Sequence, residues 1–388
     1  MNNSHSTTHP DEITTSNKLH EIIKKEVSQN NGSIPLSQYI ELCLYHKNYG
    51  YYHNQLHKFG KMGDFVTAPG ISHLFGYSLG TQIDELFNHM EHKNIVELGA
   101  GNGQLMIDIL SHIGDDIDTY YVLEISAVLI FEMQQKLQNA HPKYVSKVKW
   151  IDKLPIDFDG VIIANELLDA NPTDSYIYKD DEIYRIDVGC VENKFVYTNK
   201  KYSNDDIKMI IDNLPEITKY NNFIIDINLN SLQLMKNIAN SLNSGYVILI
   251  DYGYCEREFY SPKHMNGTVR GFIHHTKVDN ILEHPPGLMD ITASVNFTAI
   301  ANAGIANGLD LIDYTTQGAF LINCGILNHV EHETENETQV TKLKYNNEIN
   351  RLTSINDMGE VFKVIAFSKN IDFYDLLGFK AFSLARIL

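Results

Sequence analysis

Two patterns of apolar residues divide the chain. Before residue 93 they recur at helical spacing, as Leu19, Ile22, Ile23 and Val27 and then as Leu36, Tyr39, Ile40 and Leu44. Each set forms one apolar stripe on a helix. A loop rich in Gly and Tyr, Tyr49-Gly50-Tyr51-Tyr52, follows, and a further helix is predicted from about 71 to 89. From Asn94 onward short apolar runs alternate with helical stretches. Strands are predicted at 95–98, 119–123, 145–151, 160–164 and 246–250, with helices at 105–113 and 127–139. Strands alternating with helices make a parallel sheet. The predicted fold class is therefore α/β, a Rossmann-like, doubly wound and mostly parallel sheet. Each strand ends at a polar or acidic residue: Glu97, Glu124, Asp152, Asn165-Glu166 and Asp251. Ligands of such sheets bind beyond the carboxyl ends of the strands, so this placement marks a candidate site.

The pattern also predicts the organisation. Residues 1–17 are polar and slightly acidic, without arginine or an apolar run, and read as a disordered tail rather than a signal or transit peptide. Residues 18–92 read as an N-terminal helical or lid region, and 93–388 as the main domain with insertions at about 172–242 and 252–293. Within these, 176–197 looks like a meander or hairpin, 205–242 looks largely helical, and 252–290 looks like a loop rich in Gly, Pro and His. Loops this long are commonly functional. The run His329 to Glu337 resembles a metal tract but reads as a solvated acidic loop, and no metal site is assigned.

Charge and cysteine use narrow the chemistry. Among 388 residues, 49 are acidic and 31 basic, a formal net charge of -18. Such a surface repels polyphosphate, which argues against a general nucleic-acid binder, whereas a basic protein substrate would be attracted. Cys43, Cys190, Cys255 and Cys324 lie far apart, which fits reduced thiols and neither a disulfide framework nor a cysteine zinc site. No apolar run reaches membrane-spanning length. A bacterial cytoplasm is the expected location, and the sequence leaves the oligomeric state open, a homodimer included.

The stretch Ile95-Val96-Glu97-Leu98-Gly99-Ala100-Gly101-Asn102-Gly103 carries the clearest chemistry. Its three glycines follow a strand and open a helix, where they allow a tight turn and a close ligand approach. The helix start suits an anion such as a cofactor carboxylate. Glu124, 21 residues beyond Gly103 at the end of the second strand, can accept both ribose hydroxyls. A dinucleotide site would need G-x-G-x-x-G, whereas this chain has G-x-G-x-G with an acid two positions earlier. Together with Glu97, Glu124 and Asp152 this favours S-adenosyl-L-methionine over a nicotinamide.

Further motifs extend the pattern: Gly63-Asp64-Phe65-Val66-Thr67-Ala68-Pro69, Glu124-Ile125-Ser126, Ala164-Asn165-Glu166-Leu167-Leu168-Asp169 and Asp251-Tyr252-Gly253. Gly267-Thr268-Val269-Arg270, His275, Asp290-Ile291-Thr292-Ala293, Gln317-Gly318-Ala319-Phe320-Leu321 and Met358-Gly359-Glu360-Val361-Phe362-Lys363 follow. With these the chain resembles the MidA family of class I methyltransferases over nearly all of its length after the tail. That family includes a mitochondrial arginine methyltransferase that assists assembly of respiratory complex I.

The resemblance implies a seven-stranded sheet, S-adenosyl-L-methionine as cofactor, and an arginine on a protein substrate as acceptor, a respiratory-complex-like subunit being one candidate. It implies cofactor contacts at Thr67, Pro69, Glu97, Gly99, Gly101, Gly103, Glu124, Asp152 and Asn165. Asp64, Thr67 and Pro69 are expected to form a lid. A protonated guanidinium is a planar fork of donors, which carboxylates can align bidentately. Glu166, Asp169 and Asp251 are the candidate catalytic acids, His275 the candidate orienting group or base, and Asp290 and Tyr252 further substrate-side candidates. Gly70, Tyr77, Ala127, Ile130 and Asn171 depart from the family pattern. Gly70, Tyr77 and Ile130 keep open a cofactor-binding assembly protein without turnover; a small-molecule or lysine acceptor is the enzymatic alternative.

Overall fold

The computed structural model describes residues 10–53, 67–212, 214, 217, 220–273, 276–335, 337–371 and 375–388. The chain forms two compact units. One combines residues 1–65, 170–230 and 260–293, and the other combines 66–169, 231–259 and 294–388. Both foreseen insertions thus contribute to a unit shared with the N-terminal segment.

The second unit is built on seven long strands: β1 (Asn94–Leu98), β2 (Thr119–Leu123), β3 (Val148–Ile151), β4 (Phe158–Asn165), β5 (Leu242–Tyr254), β6 (Asp310–Thr316) and β7 (Phe362–Lys369). Their order is β6-β7-β5-β4-β1-β2-β3, and the short strand Val295–Asn296 adds an eighth member beside β5. Strands β1 to β5 run parallel, whereas β7 is antiparallel to both β5 and β6. The α/β, mostly parallel class is as predicted. Val96, Ile162, Val247 and Phe367 are fully buried, because a sheet covered on both faces needs apolar side chains on both. From β1 the chain proceeds to β2 and β3 on one side, and β4 then pairs with β1 on the other. The crevice at such a switch point, between the carboxyl ends of β1 and β4, is where open α/β sheets take ligands.

The first unit pairs helices Pro10–Gln29 and Leu36–Tyr45 with antiparallel strands. Its larger sheet runs Ser33–Pro35, Glu182–Val191, Asp174–Lys179, Phe223–Ile227, with Lys194–Lys201 also on Glu182–Val191. A smaller sheet joins Thr276–Val278, Arg270–Ile273 and Asp290–Thr292. The predicted helical stripes form its core, where Leu19, Ile23, Val27, Tyr39 and Ile40 pack with Val188, Phe195 and Met289.

Several expectations are corrected. The helix begins at Pro10, so the tail read to residue 17 is helical over its second half. Residues 205–242 contain strand Phe223–Ile227, whose Phe223, Ile225 and Ile227 are buried beside Asp174–Lys179. The presumed loop 252–290 carries strands Arg270–Ile273 and Thr276–Val278. Most of the presumed acidic loop is helix Ile326–Thr334, which buries Ile326 and Thr334 and turns its acids outward. On it His329 Nε2 lies 3.2 Å from Thr81 Oγ1, which His112 Nε2 also meets at 3.0 Å. Tyr77 stacks on His112 at 5.0 Å. Among the described residues no helix is long and apolar enough to cross a membrane.

Candidate functional site

The loop after β1 is set by backbone geometry. Gly99 N–H donates to Leu123 O at 2.9 Å, prolonging the β1–β2 ladder by one step. Gly99, Gly101 and Gly103 then take φ of +67°, +55° and +70°, and Gly103 caps helix Gln104–Ile113. Sterics compound the requirement. A Cβ at Gly99 would lie 2.8 Å from Leu167 Cδ1, and one at Gly103 would lie 2.7 Å from Met133 Cγ. The loop is therefore a cradle of bare backbone at a helix start, with the geometry an anion and a flat ligand need.

Glu124 reaches this cradle from the end of β2. Its Oε1 accepts Ile125 N–H at 2.8 Å and Ser126 N–H at 2.9 Å, while Oε2 faces Gly101 N–H at 3.3 Å. Glu97 is placed differently. It is 2% exposed on β1 and accepts the Tyr120 hydroxyl at 2.8 Å. Burial raises its carboxyl from the ordinary value near 4.5 to about 7, and the Tyr120 bond opposes that rise. Glu97 is thus held inside the sheet against Tyr120. Asp152 is exposed on the bend after β3.

The other wall follows β4. Glu166 has φ of +52°, a conformation that costs a non-glycine residue about 1 kcal/mol or more. It is kept there because its N–H donates to Ile250 O at 2.9 Å while Oε1 accepts Ala68 N–H at 3.0 Å and Asn165 Nδ2–H at 3.1 Å. Asn165 Oδ1 is buried without a hydrogen-bond partner among the described residues. An orphaned acceptor beside a bare-backbone cradle fits a ligand carrying N–H or O–H groups. Thr67 and Pro69 open the short helix Ala68–Ile71, so the Glu166 bond ties this segment to the end of β4.

Asp251 is fully buried near the end of β5, where its backbone pairs with Lys363 of β7. Its Oδ2 accepts Leu168 N–H at 2.8 Å and Asp169 N–H at 3.2 Å, and Oδ1 accepts Tyr252 N–H at 2.8 Å. Burial pushes this carboxyl up, and the backbone amides pull it back. With no exposure and its oxygens on backbone amides, it holds the turn at 167–169 that follows Glu166. Asp169 is 7% exposed. Tyr252 is half-buried, edge-on to Phe362 at 5.7 Å. Asp290 belongs to the other unit, where it is buried and accepts the Tyr52 hydroxyl at 3.0 Å. Asp64 and His275 lie outside the described residues.

Sequence reasoning missed Tyr120, which alternation on β2 marked only as a core residue. It also missed Gln104 and Asp108, whose four-residue separation on one helix face was the available signal.

Residues 78–315, more than half of the chain, match the model of a family described as "Putative S-adenosyl-L-methionine-dependent methyltransferase". The chain is 27% identical to the mitochondrial protein arginine methyltransferase NDUFAF7 homolog of Caenorhabditis elegans, over 88% of this chain and 85% of that one. It is 27% identical to NDUFAF7 of Xenopus tropicalis, over 92% and 86% respectively. A Burkholderia thailandensis protein crystallised with S-adenosyl-homocysteine bound superposes with a TM-score of 0.93 at 29% identity, over 99% of this chain and 100% of that one. The chain thus belongs to the MidA family of S-adenosyl-L-methionine-dependent methyltransferases, and S-adenosyl-L-methionine is its cofactor.

Proposed function

We propose that the chain methylates an arginine side chain on a protein substrate. The observation that carries this reading is the clustering of Glu166 and Asp169 on the turn after β4, next in the sheet to the glycine-loop strand. The names of the relatives, protein arginine methyltransferases, and the net charge of -18 point the same way. Gly99, Gly101, Gly103, Glu124 and Asn165 would hold the cofactor, with Thr67 and Pro69 nearby in the chain segment that Glu166 anchors. When bound, the cofactor supplies a sulfonium methyl group open to in-line attack.

The residues of the chain contribute position and charge. A guanidinium stays protonated near neutral pH, so its lone pairs are delocalised and it is a poor nucleophile. Carboxylates of Glu166 and Asp169 would align it as a fork and draw its charge away from the reacting nitrogen. The nitrogen would gain the methyl group as the methyl–sulfur bond breaks, its electron pair staying on the departing thioether, and would lose one proton, which a carboxylate can accept and pass to water. Most of the rate gain expected here is orientation and exclusion of water.

The test is transfer of labelled methyl from the cofactor to lysate proteins, followed by mass spectrometry of the labelled residue. Methylarginine whose formation is lost in Glu166→Ala, with cofactor binding retained, supports the proposal. Label on lysine or on a small molecule would move the acceptor class, and binding with no product would leave a cofactor-binding protein.

A further inference from the structure

Behind the glycine loop runs a chain of side chains that the proposed chemistry does not use. Asp108, 3% exposed, lies on helix Gln104–Ile113. Its Oδ1 accepts Gln104 Nε2–H at 2.7 Å, while Oδ2 is buried with no hydrogen-bond partner among the described residues. Gln104 is held at its other end too, its Oε1 accepting Lys136 Nζ–H at 2.6 Å. An ionised carboxylate only accepts and an ammonium only donates, so the amide between them has a single orientation. Lys136, from helix Ala127–Ala140, also donates to the carbonyl of Asn102 at 3.3 Å. Asn102 is the central residue of Gly101-Asn102-Gly103. On the far side Gly76 closes on the aspartate, where a Cβ would stand 2.4 Å from Asp108 Cβ.

We propose that Asp108, acting through Gln104 and Lys136, is a positioning residue that fixes the Asn102–Gly103 peptide and thereby sets the affinity of the glycine loop for its cofactor. The inference rests on the reading of that loop as the cofactor site. Glycines on either side of Asn102 loosen the backbone, and although the peptide N–H already donates to Ala100 O at 2.8 Å, ordering its carbonyl end on binding would still cost affinity. An ammonium held against its carbonyl removes that cost in advance. Among the described residues, Lys136, Glu97 on β1, Tyr120 on β2 and Tyr77 on helix Leu74–Phe87 act electrostatically with Asp108. Burial raises the Asp108 carboxyl to about 7, and Lys136 opposes the rise. The ionised form grips Gln104 and Lys136 more strongly, so the relay tightens as pH rises from 6 to 8.

The test is calorimetric binding of S-adenosyl-homocysteine to the full chain. Gln104→Leu and Lys136→Met, both at half-buried positions, should each weaken binding about ten-fold, or about 1.4 kcal/mol. The double variant should be no weaker than either single one, because both break one relay. Lys136→Arg should restore most of the loss. Asp108→Asn should flatten the rise in affinity between pH 6 and 8; because Asp108 also raises the Glu97 carboxyl, Glu97→Gln is measured beside it, and a rise that Glu97→Gln abolishes while Asp108→Asn leaves it intact would overturn the pH dependence. Unchanged affinity in variants with wild-type melting temperatures would overturn the inference, as would losses that multiply in the double variant. Gly101→Val separates the two readings. If it still binds, the loop is not the cofactor site; if it does not bind while Gln104→Leu and Lys136→Met bind normally, only the relay is wrong.

Discussion

The Glu166 carboxylate accepts the backbone N–H of Ala68 at 3.0 Å, across 98 residues of sequence. This bond joins the segment before the sheet to the residue that leaves β4 with positive φ. It makes Glu166 an anchor for Thr67–Pro69 as well as a candidate acid toward substrate. Glu166→Gln should separate the two roles. The amide oxygen can still accept from Ala68, so cofactor affinity should stay within about three-fold, while methyl transfer falls at least about ten-fold with the lost charge. Calorimetry together with single-turnover labelling reads both; equal losses in binding and transfer would reduce Glu166 to the anchor alone.

Gly99→Ala combines two penalties, φ of +67° and a 2.8 Å approach to Leu167 Cδ1. The left-handed conformation alone costs about 1–2 kcal/mol in stability, and the displaced loop should lose at least about ten-fold in cofactor affinity. At Gly103 φ is +70° and the nearest atom is Cγ of the fully buried Met133 at 2.7 Å, which has less room to give way than the terminal Cδ1 of the half-buried Leu167. Gly103→Ala should therefore be at least as damaging in a melting and binding comparison.

Glu97 makes stability depend on pH. Its folded value, about 7, lies above the ordinary value near 4.5, so the folded state holds the extra proton. Stability from this group is greatest below about 4.5 and declines as pH rises through the window to about 7. Glu97→Gln should remove that slope and gain about 1–3 kcal/mol over wild type at pH 8, read by denaturant unfolding across pH. Tyr120→Phe leaves the buried carboxyl without its donor and should cost about 1–3 kcal/mol.

The histidines meeting at Thr81 act in the opposite sense. Burial pulls both His112 and His329 below 6.5. The unfolded chain takes up protons first, so stability is lost as pH falls below 6.5. His112→Gln with His329→Gln should shrink the acid-side slope of the melting temperature between pH 7 and 5. An unaltered slope would place the acid sensitivity elsewhere.

Asp251→Asn tests the turn at 167–169. One amide oxygen cannot replace two carboxylate oxygens that accept three backbone N–H groups, so a loss of about 2–4 kcal/mol is expected. Methyl transfer should fall with it while binding at the glycine loop persists, since Asp251 touches the acid turn and not the loop. Full stability in this variant would remove the turn-holding role of Asp251.

The alternation of apolar runs with helical stretches after Asn94 was enough to predict the parallel sheet, and Glu97 to Gly103 enough to predict a glycine turn that opens a helix at the end of β1. Both are local: a strand buried on two faces must be continuously apolar, and a turn at positive φ favours glycine. What a side chain does once it reaches the site was not local. Glu97, Asp251 and Glu124 all stand at strand ends and read alike in sequence. Only folding put Tyr120 against the first, backbone amides around the second, and Gly101 near the third. The same limit applies to the unit that gathers residues 1–65, 170–230 and 260–293. Its strands pair across long separations in the chain, and no period along the sequence encodes a partner that distant.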